Sequence, residues 1–278
     1  MKIAVYKRDG HRDRDEGTEA LKARLREKGA TLACYGEDFT SCDDLPADTD
    51  LFLSMGGDGT FLQSLTFVRD RGIPVAGINF GHLGFLTTAR AADSDAWIDA
   101  LLEGRYTVEE RSLLRVVCDG LPEEFYPFAL NEVSLQRRGA SMLSVDVSIG
   151  GRNLPTYWAD GLVAATPTGS TAYNLSVGGP VVMPSSEVMV LAPIAPHNLN
   201  VRPLIVPMTA AVTLTFHSRE RYALLTVDNR SCPLPAGSTV HVSRARYGLR
   251  YVSLSDDNFI NALQTKLFWG EDRRNINR

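Results

Sequence analysis

The five residues Gly56-Gly57-Asp58-Gly59-Thr60 follow a largely apolar run, Leu51-Phe52-Leu53-Ser54-Met55. They precede a segment in which Phe61, Leu62, Leu65 and Val68 recur at helical spacing. Glycines at a strand-to-helix junction let the main chain approach an anion closely, with several N–H groups and the positive helix end facing it. In open α/β sheets ligands bind outside the carboxyl ends of the strands, where such a loop lies. The loop has neither the Gly-Lys-Ser/Thr of a Walker motif nor the Gly-x-Gly-x-x-Gly of a Rossmann fingerprint. Asp58 is its unusual member. A carboxylate beside a bound phosphate is electrostatically unfavourable unless it holds a metal ion or takes a proton from an attacking hydroxyl. The plainer alternative is a tight turn in which Asp58 caps the helix.

Three further groups of residues carry chemical potential. In Asp160-Gly161 through Thr166-Pro167-Thr168-Gly169-Ser170-Thr171-Ala172-Tyr173-Asn174-Leu175-Ser176, a strand enters a hydroxyl-rich turn and a short helix, closed by Gly178-Gly179-Pro180. Thr168, Ser170 and Thr171 offer donors and acceptors, and Tyr173 a flat apolar face with a polar tip, which suits the edge and face of a nucleobase. Helix capping and core packing explain Thr168 and Ser170 about as well. Asn131-Glu132 is a polar pair in an apolar strand and can bond a vicinal diol, although neighbours on one strand face opposite ways. Asn79-Phe80-Gly81-His82-Leu83-Gly84-Phe85-Leu86 follows a strand, and its glycines suit a loop beside a ligand. His82 is the one histidine expected near a site, in a positional role.

The elements that must hold these residues change character along the chain. Ile3–Tyr6, Leu32–Tyr35, Leu51–Met55 and Pro74–Asn79 read as strands. They alternate with helical segments, one N-capped by Thr18 and ended by Gly29, another near Asp93–Glu103. This rhythm predicts a doubly wound α/β domain over residues 1–105. From Tyr106 period-two stretches take over, such as Leu143, Val145, Val147 and Ile149, or Val212, Leu214 and Phe216. Turns such as Gly150-Gly151 and Pro235-Ala236-Gly237 separate them. Residues 106–255 are therefore expected to form an all-β, sandwich-like C-terminal domain. The segment 256–278 carries a helix, with Phe259, Ile260, Leu263 and Leu267 on one side, that packs back on the first domain.

Composition bounds the partners. A net charge of −4 disfavours a nucleic-acid binder, which needs a basic surface. Cys34, Cys42, Cys118 and Cys232 form no Cys-x-x-Cys pair, and His11, His197, His217 and His241 share no metal-ligand spacing. The first residues break into charge before a signal-peptide core could form, and no apolar run approaches a membrane span. The expectation is a soluble cytoplasmic protein with reduced thiols, no membrane partner and no dedicated metal site.

With these four constellations in this order, the sequence resembles the NAD kinases. The resemblance runs from Gly56–Thr60 through Asn79–Leu86 and Asn131-Glu132 to residues 160–180. It continues in Ala195-Pro196-His197-Asn198-Leu199 with Arg202-Pro203, and in Leu267-Phe268-Trp269-Gly270. Diacylglycerol and sphingosine kinases share the pentapeptide, and phosphofructokinases carry a related form; Asn-Glu followed by Thr-Pro-Thr-Gly-Ser-Thr-Ala-Tyr is far more specific. The resemblance implies ATP-dependent phosphorylation of the 2′-hydroxyl of the NAD adenosine ribose to give NADP, with Asp58 meeting that hydroxyl as its base. It implies that Gly56, Gly57, Gly59 and Thr60 cradle phosphates, with Gly59 and Phe85 also among the NAD-binding residues. Asn131 and Glu132 would hold ribose hydroxyls, Thr168, Thr171, Ala172, Tyr173 and Ser176 would line the adenine side, and Asp160 would contact the nicotinamide half. A homodimer or homotetramer is implied as well, and Mg²⁺ or another divalent cation would arrive with ATP, keeping several waters. Where many members carry Asp-Gly after a late strand, this chain has Asp228-Asn229-Arg230, and Asn229 is expected to tolerate the left-handed turn. The competing classes are a lipid or sugar kinase sharing the glycine loop, and a non-catalytic dinucleotide-binding protein.

Overall fold

The structure is a computed structural model that describes residues 1–8, 15–80, 84–87, 89–90, 94–254 and 259–270. The chain divides into two compact units, Met1–Glu110 with Leu249–Arg278, and Arg111–Gly248. The second crossing comes earlier than residue 255 because the last strand of the chain runs beside Val75 of the first unit and not beside the β-rich segment. His82, with Gly81 and Leu83, lies outside the described residues.

The first unit opens with β1 (Lys2–Lys7), α1 (Asp15–Glu27), β2 (Thr31–Cys34), β3 (Leu51–Met55) and α2 (Asp58–Val68). It continues through β4 (Val75–Asn79), β5 (Ala89–Arg90), α3 (Ser94–Leu102) and β6 (Thr107–Arg111). Thr18 does not cap α1. The helix begins three residues earlier, at Asp15, and Thr18 is buried within it. Gly29 does end the helix: its φ of +91° is left-handed, and its N–H bonds the Arg26 carbonyl at 2.9 Å.

The chain then builds the second unit. Its strands begin with β7 (Leu114–Cys118), β8 (Phe128–Ala129), β9 (Glu132–Arg137), β10 (Leu143–Ile149), β11 (Arg152–Asn153), β12 (Tyr157–Ala159) and β13 (Gly161–Ala165). A 3-10 turn over Thr168–Thr171 and the single-turn helix α4 (Tyr173–Ser176) follow. The unit closes with β14 (Val188–Ile194), β15 (Leu204–Pro207), β16 (Val212–His217), β17 (Tyr222–Val227), β18 (Arg230–Pro235) and β19 (Thr239–Arg244). Finally β20 (Leu249–Ser253) and α5 (Phe259–Leu267) return to the first unit.

The first sheet runs β2-β1-β3-β4-β20-β6, with β5 beside β4, and β1 pairs in parallel with both β2 and β3. The order reverses between β1 and β3, so the loop after β3 leaves the carboxyl edge of the sheet at a switch point. β3 and β4 are buried along their whole length, as parallel strands covered on both faces must be. In α2, Phe61, Leu62, Leu65, Phe67 and Val68 are buried, each worth roughly 1.5–3 kcal/mol on transfer from water.

In the second unit, two antiparallel sheets, β11-β10-β16-β19-β7-β8 and β15-β14-β13-β9-β17-β18, enclose one core. Period two shows directly: Leu143, Val145 and Val147 are buried, as are Val212, Leu214 and Phe216. β13 is buried on both faces. Val163 and Ala165 turn away from the main core and pack under Tyr173, Val177 and Val182, so the segment after β13 folds back over the outside of its own sheet. Among the described residues no helix is long and apolar enough to cross a membrane.

Candidate active site

In the first unit, β3 delivers the chain to Gly56, whose N–H bonds the Ile78 carbonyl of β4 at 2.8 Å. At Gly56 (φ +154°) an added Cβ would stand 2.5 Å from Thr60 Oγ1, so only glycine lets the turn close. Gly57 is the N-cap of α2 and no side chain caps it. Asp58 therefore does not cap its helix, and the plain alternative for this residue fails. Its carboxylate instead reaches the segment after β4. Oδ2 accepts the Phe85 N–H at 2.7 Å, and Oδ1 accepts the Leu86 N–H (3.1 Å), the Thr87 N–H (3.1 Å) and the Thr87 hydroxyl (2.9 Å). Among the described residues Oδ1 takes three donors, whereas Oδ2 takes one and keeps acceptor capacity.

The Asp58 bonds join two of the segments singled out in sequence. Gly84 makes room for them, since a Cβ there would stand 1.7 Å from Asp58 Oδ1. Asn79 Nδ2 donates to Thr87 Oγ1 at 3.2 Å, tying the end of β4 to the same loop. From outside, α5 braces the loop: the Phe85 and Phe259 rings lie 6.3 Å apart, and Lys266 Nζ stands 4.5 Å from the Phe85 centroid.

In the second unit, β9 and β13 place Asn131-Glu132 beside the hydroxyl-rich turn. Ala165 pairs with Glu132, and the Thr166 N–H bonds the Asn131 carbonyl at 2.8 Å. The main chain of Gly169 presses on Asn131 so closely that a Cβ would stand 2.1 Å from its carbonyl oxygen. The Tyr173 main-chain N–H lies toward the Glu132 carboxyl and favours its charged form, while Glu132 Oε2 is buried with no hydrogen-bond partner among the described residues. Burial and the neighbouring Asp228 carboxylate push Glu132 up to about 8, against the pull of that one N–H, so at neutral pH Glu132 carries its proton. A protonated carboxyl can donate a hydrogen bond as well as accept one.

The hydroxyls of the turn divide in role. Ser170 Oγ donates to the Val182 carbonyl (3.1 Å) and accepts from the Val182 N–H (2.9 Å), so it is a structural clamp. Thr168 is buried, and Thr171, Ala172 and Tyr173 are half-buried on the outside of the sheet, with Ser176 exposed beyond them. Asp160 is paired with Arg137 Nε at 2.7 Å. The cleft of about 390 Å³ lined by Ser141, Met142, Ser144, Trp158, His217, Ser218 and Arg219 contains none of these residues.

Four residues have roles that the sequence did not assign. Thr166 Oγ1 donates to the Leu130 carbonyl at 2.5 Å and accepts the Gly169 N–H at 3.0 Å, locking the turn. Thr87 and Gly84 complete the Asp58 cradle. Asp228 is fully buried, and its carboxylate accepts the N–H groups of Leu130 (2.9 Å), Asn131 (2.8 Å) and Glu132 (3.2 Å). The left-handed residue of its hairpin is Asp228 itself, φ +52°, and not Asn229. Asp228-Asn229-Arg230 was visible as an unusual turn, but nothing in it signalled a carboxylate turned inward.

Among the described residues, the one group of three possible ligands is Cys34, Glu37 and Asp38. Its thiol has Lys22 and Arg26 as charged neighbours, and a soft sulfur suits Mg²⁺ poorly.

A parallel α/β unit with an anion-ready glycine loop and an oriented carboxylate, together with a β-sandwich unit bearing a polar nucleoside-sized turn, define a nucleotide-dependent phosphotransferase. The ATP-NAD kinase N-terminal domain matches residues 16–106, and the ATP-NAD kinase C-terminal domain matches residues 130–254. The NAD kinase of Bacteroides fragilis is 42% identical over 290 residues, covering 99% of this chain and 100% of that protein. That of Flavobacterium psychrophilum is 38% identical over 260 residues, covering 92% and 88%. Among solved structures, an Archaeoglobus fulgidus NAD kinase in complex with ATP superposes with a TM-score of 0.77 at 26% identity, covering 95% of this chain and 99% of that one. Yeast NADH kinase complexed with NADH superposes at 0.87, covering 98% and 88%; at 24% identity this likeness speaks for the fold. The chain belongs to the ATP-NAD kinase family, whose activity is phosphoryl transfer to NAD.

Proposed function

We propose that this chain transfers the γ-phosphoryl group of ATP to the 2′-hydroxyl of the adenosine ribose of NAD, with Asp58 as the base. The new bond joins the ribose oxygen to the γ-phosphorus, and the bond from that phosphorus to the β–γ bridging oxygen breaks. The hydroxyl proton passes to Asp58 Oδ2, and ADP leaves with the electron pair. The observation that carries this reading is the unequal loading of the carboxylate, with three donors on Oδ1 and one on Oδ2. One oxygen orients the group and the other is left to receive a proton.

Gly56, Gly57, Gly59 and Thr60 bind phosphate through the turn that starts α2, and Phe85 sits against NAD. Asn131 and Glu132 bond ribose hydroxyls, a role suited to a protonated Glu132. Thr168, Thr171, Ala172, Tyr173 and Ser176 take the adenine, and Asp160 the nicotinamide half. Phosphoryl transfer is loose, so positioning and charge neutralisation supply most of the acceleration. Mg²⁺ arrives on the triphosphate: Asp58 is the carboxylate of the glycine loop, and its Oδ1 is filled by hydrogen-bond donors.

Four free thiols fit the reducing cytoplasm, and the exposed Trp158, Leu199 and Ile205 of the second unit fit a homodimer or homotetramer, which light scattering would size. The deciding assay incubates the chain with Mg-ATP and NAD, a diacylglycerol or fructose 6-phosphate. NADP from NAD alone is expected. Product from the lipid or the sugar, or no NADP at all, overturns the proposal.

A further inference from the structure

The sequence poses a geometric problem at Asn131-Glu132. Neighbours on a regular strand face opposite sides of the sheet, so the two side chains could not both serve one diol. The structure resolves it by placing Asn131 outside the strand: Leu130 and Asn131 form a bend between β8 and β9, which starts at Glu132. A bend in a buried position exposes main-chain N–H groups that need partners, and an unpaired one is costly.

We propose that Asp228 is a positioning residue for NAD, its buried carboxylate fixing the main chain at residues 130–132 and thereby the directions in which Asn131 and Glu132 reach the ribose hydroxyls. The side chain of Asp228 is wholly inaccessible, and one of its oxygens, Oδ1, takes both the Asn131 and Glu132 N–H groups while Oδ2 takes that of Leu130. Its own N–H returns a 2.9 Å bond to the Glu132 carbonyl. Asp228 thus grips the bend by four hydrogen bonds. Arg230, 3.6 Å away, supplies the counter-charge; it also donates to Asn229 Oδ1 at 3.3 Å, and its bond to the Phe128 carbonyl at 2.5 Å secures the strand leading into the bend. The tip of the β17–β18 hairpin holds Asp228 at φ +52°, a conformation few side chains other than Asp and Asn accept. Backbone that a smaller residue would fill with less strain is kept for a carboxylate, which points to a role for the charge.

The inference rests on the reading that Asn131 and Glu132 bind NAD, and the test separates the two. Asp228→Asn keeps the shape and loses the charge; Asp228→Gly loses the carboxylate but relieves the left-handed turn, so the hairpin keeps its backbone. Both variants are expected to raise KM for NAD by roughly tenfold or more, as the loss of charge-assisted bonds predicts, with KM for ATP within about twofold of wild type. A purely structural loss would move both constants together. In the wild-type chain, hydrogen exchange should show the amides of Leu130, Asn131 and Glu132 protected; in Asp228→Gly they should exchange faster while those of β13 and β14 do not. A wild type that makes no NADP overturns the function beneath the inference. An active wild type matched by a folded Asp228→Gly with unchanged KM for NAD overturns the positioning role alone. Should neither variant fold, unprotected amides at 130–132 in the wild type overturn it equally.

Discussion

Asp58 and Phe85 are joined by a 2.7 Å hydrogen bond from a main-chain N–H to a carboxylate oxygen, across a sequence separation of 27. The bond makes the glycine loop and the segment after β4 a single device. Asp58 is held by a loop whose position depends in turn on Asp58, on Asn79 and on α5, so the carboxylate proposed as the base is oriented without any substrate.

Asp58→Asn is expected to lose about 10²–10⁴-fold in kcat while keeping NAD affinity within a few-fold, because general-base help is worth that much. The amide also presents donors to N–H groups that need an acceptor, which loosens the loop. Thr87→Val separates the two effects, removing one donor to Oδ1 and the acceptor of the Asn79 amide while leaving the Asp58 carboxylate in place. Its kcat should fall by about tenfold or less, the scale of one or two hydrogen bonds. Near-normal turnover in Asp58→Asn, measured as NADP formed, makes Asp58 structural.

Glu132 makes stability and binding depend on pH. An acid raised from 4.5 to about 8 in the folded chain binds a proton there that the unfolded chain has released. Stability is therefore complete below pH 4.5 as far as this group is concerned, and it falls as pH rises toward 8, at about 1.4 kcal/mol per unit at most. Glu132→Gln, which mimics the protonated form, should remove that fall, its advantage in melting temperature growing up to pH 8 and then levelling. In the wild type, KM for NAD should climb above pH 8, where Glu132 loses its donor and gains charge beside Asp228. A difference in melting temperature that is flat between pH 5 and 9 would show that Glu132 is ionised throughout.

What the sequence made legible was local. A strand, a glycine turn and an amphipathic helix occupy adjacent residues, so the glycine loop between β3 and α2 is legible directly, and period two exposes the sandwich from Leu143 onward. What it concealed was long-range. No spacing announces that Asp58 bonds Thr87, or that Asp228 grips residues 130–132 from nearly a hundred residues away. β20 belongs beside β4 although its alternation matches the β-rich segment before it. Thr18 shows the opposite failure: its type suits a cap, but α1 starts at Asp15 and Thr18 is buried within it. At Asp228-Asn229 the turn is legible but the residue that takes its left-handed position is not, because propensity alone ranks Asn above Asp there and the structure uses Asp228.

Gly169→Ala tests the contact between the two nucleoside-facing segments. The added methyl would stand 2.1 Å from the Asn131 carbonyl oxygen and 2.4 Å from its carbonyl carbon, both main-chain atoms that no rotamer change can move aside. Relief requires the turn and the bend to separate, straining the Thr166–Asn131 bond. The expected cost is about 1–3 kcal/mol in folding, the range for overpacking, with a loss of NAD affinity larger than that of ATP affinity. Denaturant unfolding and separate titrations with the two nucleotides give both numbers, and equal losses for NAD and ATP count against a local effect.

Phe259→Ala tests whether α5 acts on the base at a distance. The Phe259 ring meets Phe85, whose N–H holds Asp58 Oδ2, and Lys266 lies over the opposite partner ring of the same pair. Aromatic pairs of this kind contribute about 0.5–1.5 kcal/mol beyond their buried area, enough to shift a loop whose side toward α5 rests on this ring pair and Lys266. Removing the ring should lower kcat several-fold with little change in either KM, since the phosphate turn and the nucleoside turn are untouched. Thr265→Ala, on the same helix but bonded only to the Asn261 carbonyl of its own turn, should leave kcat unchanged. Equal kcat in the two variants would mean that α5 packs against the Phe85 loop without orienting Asp58.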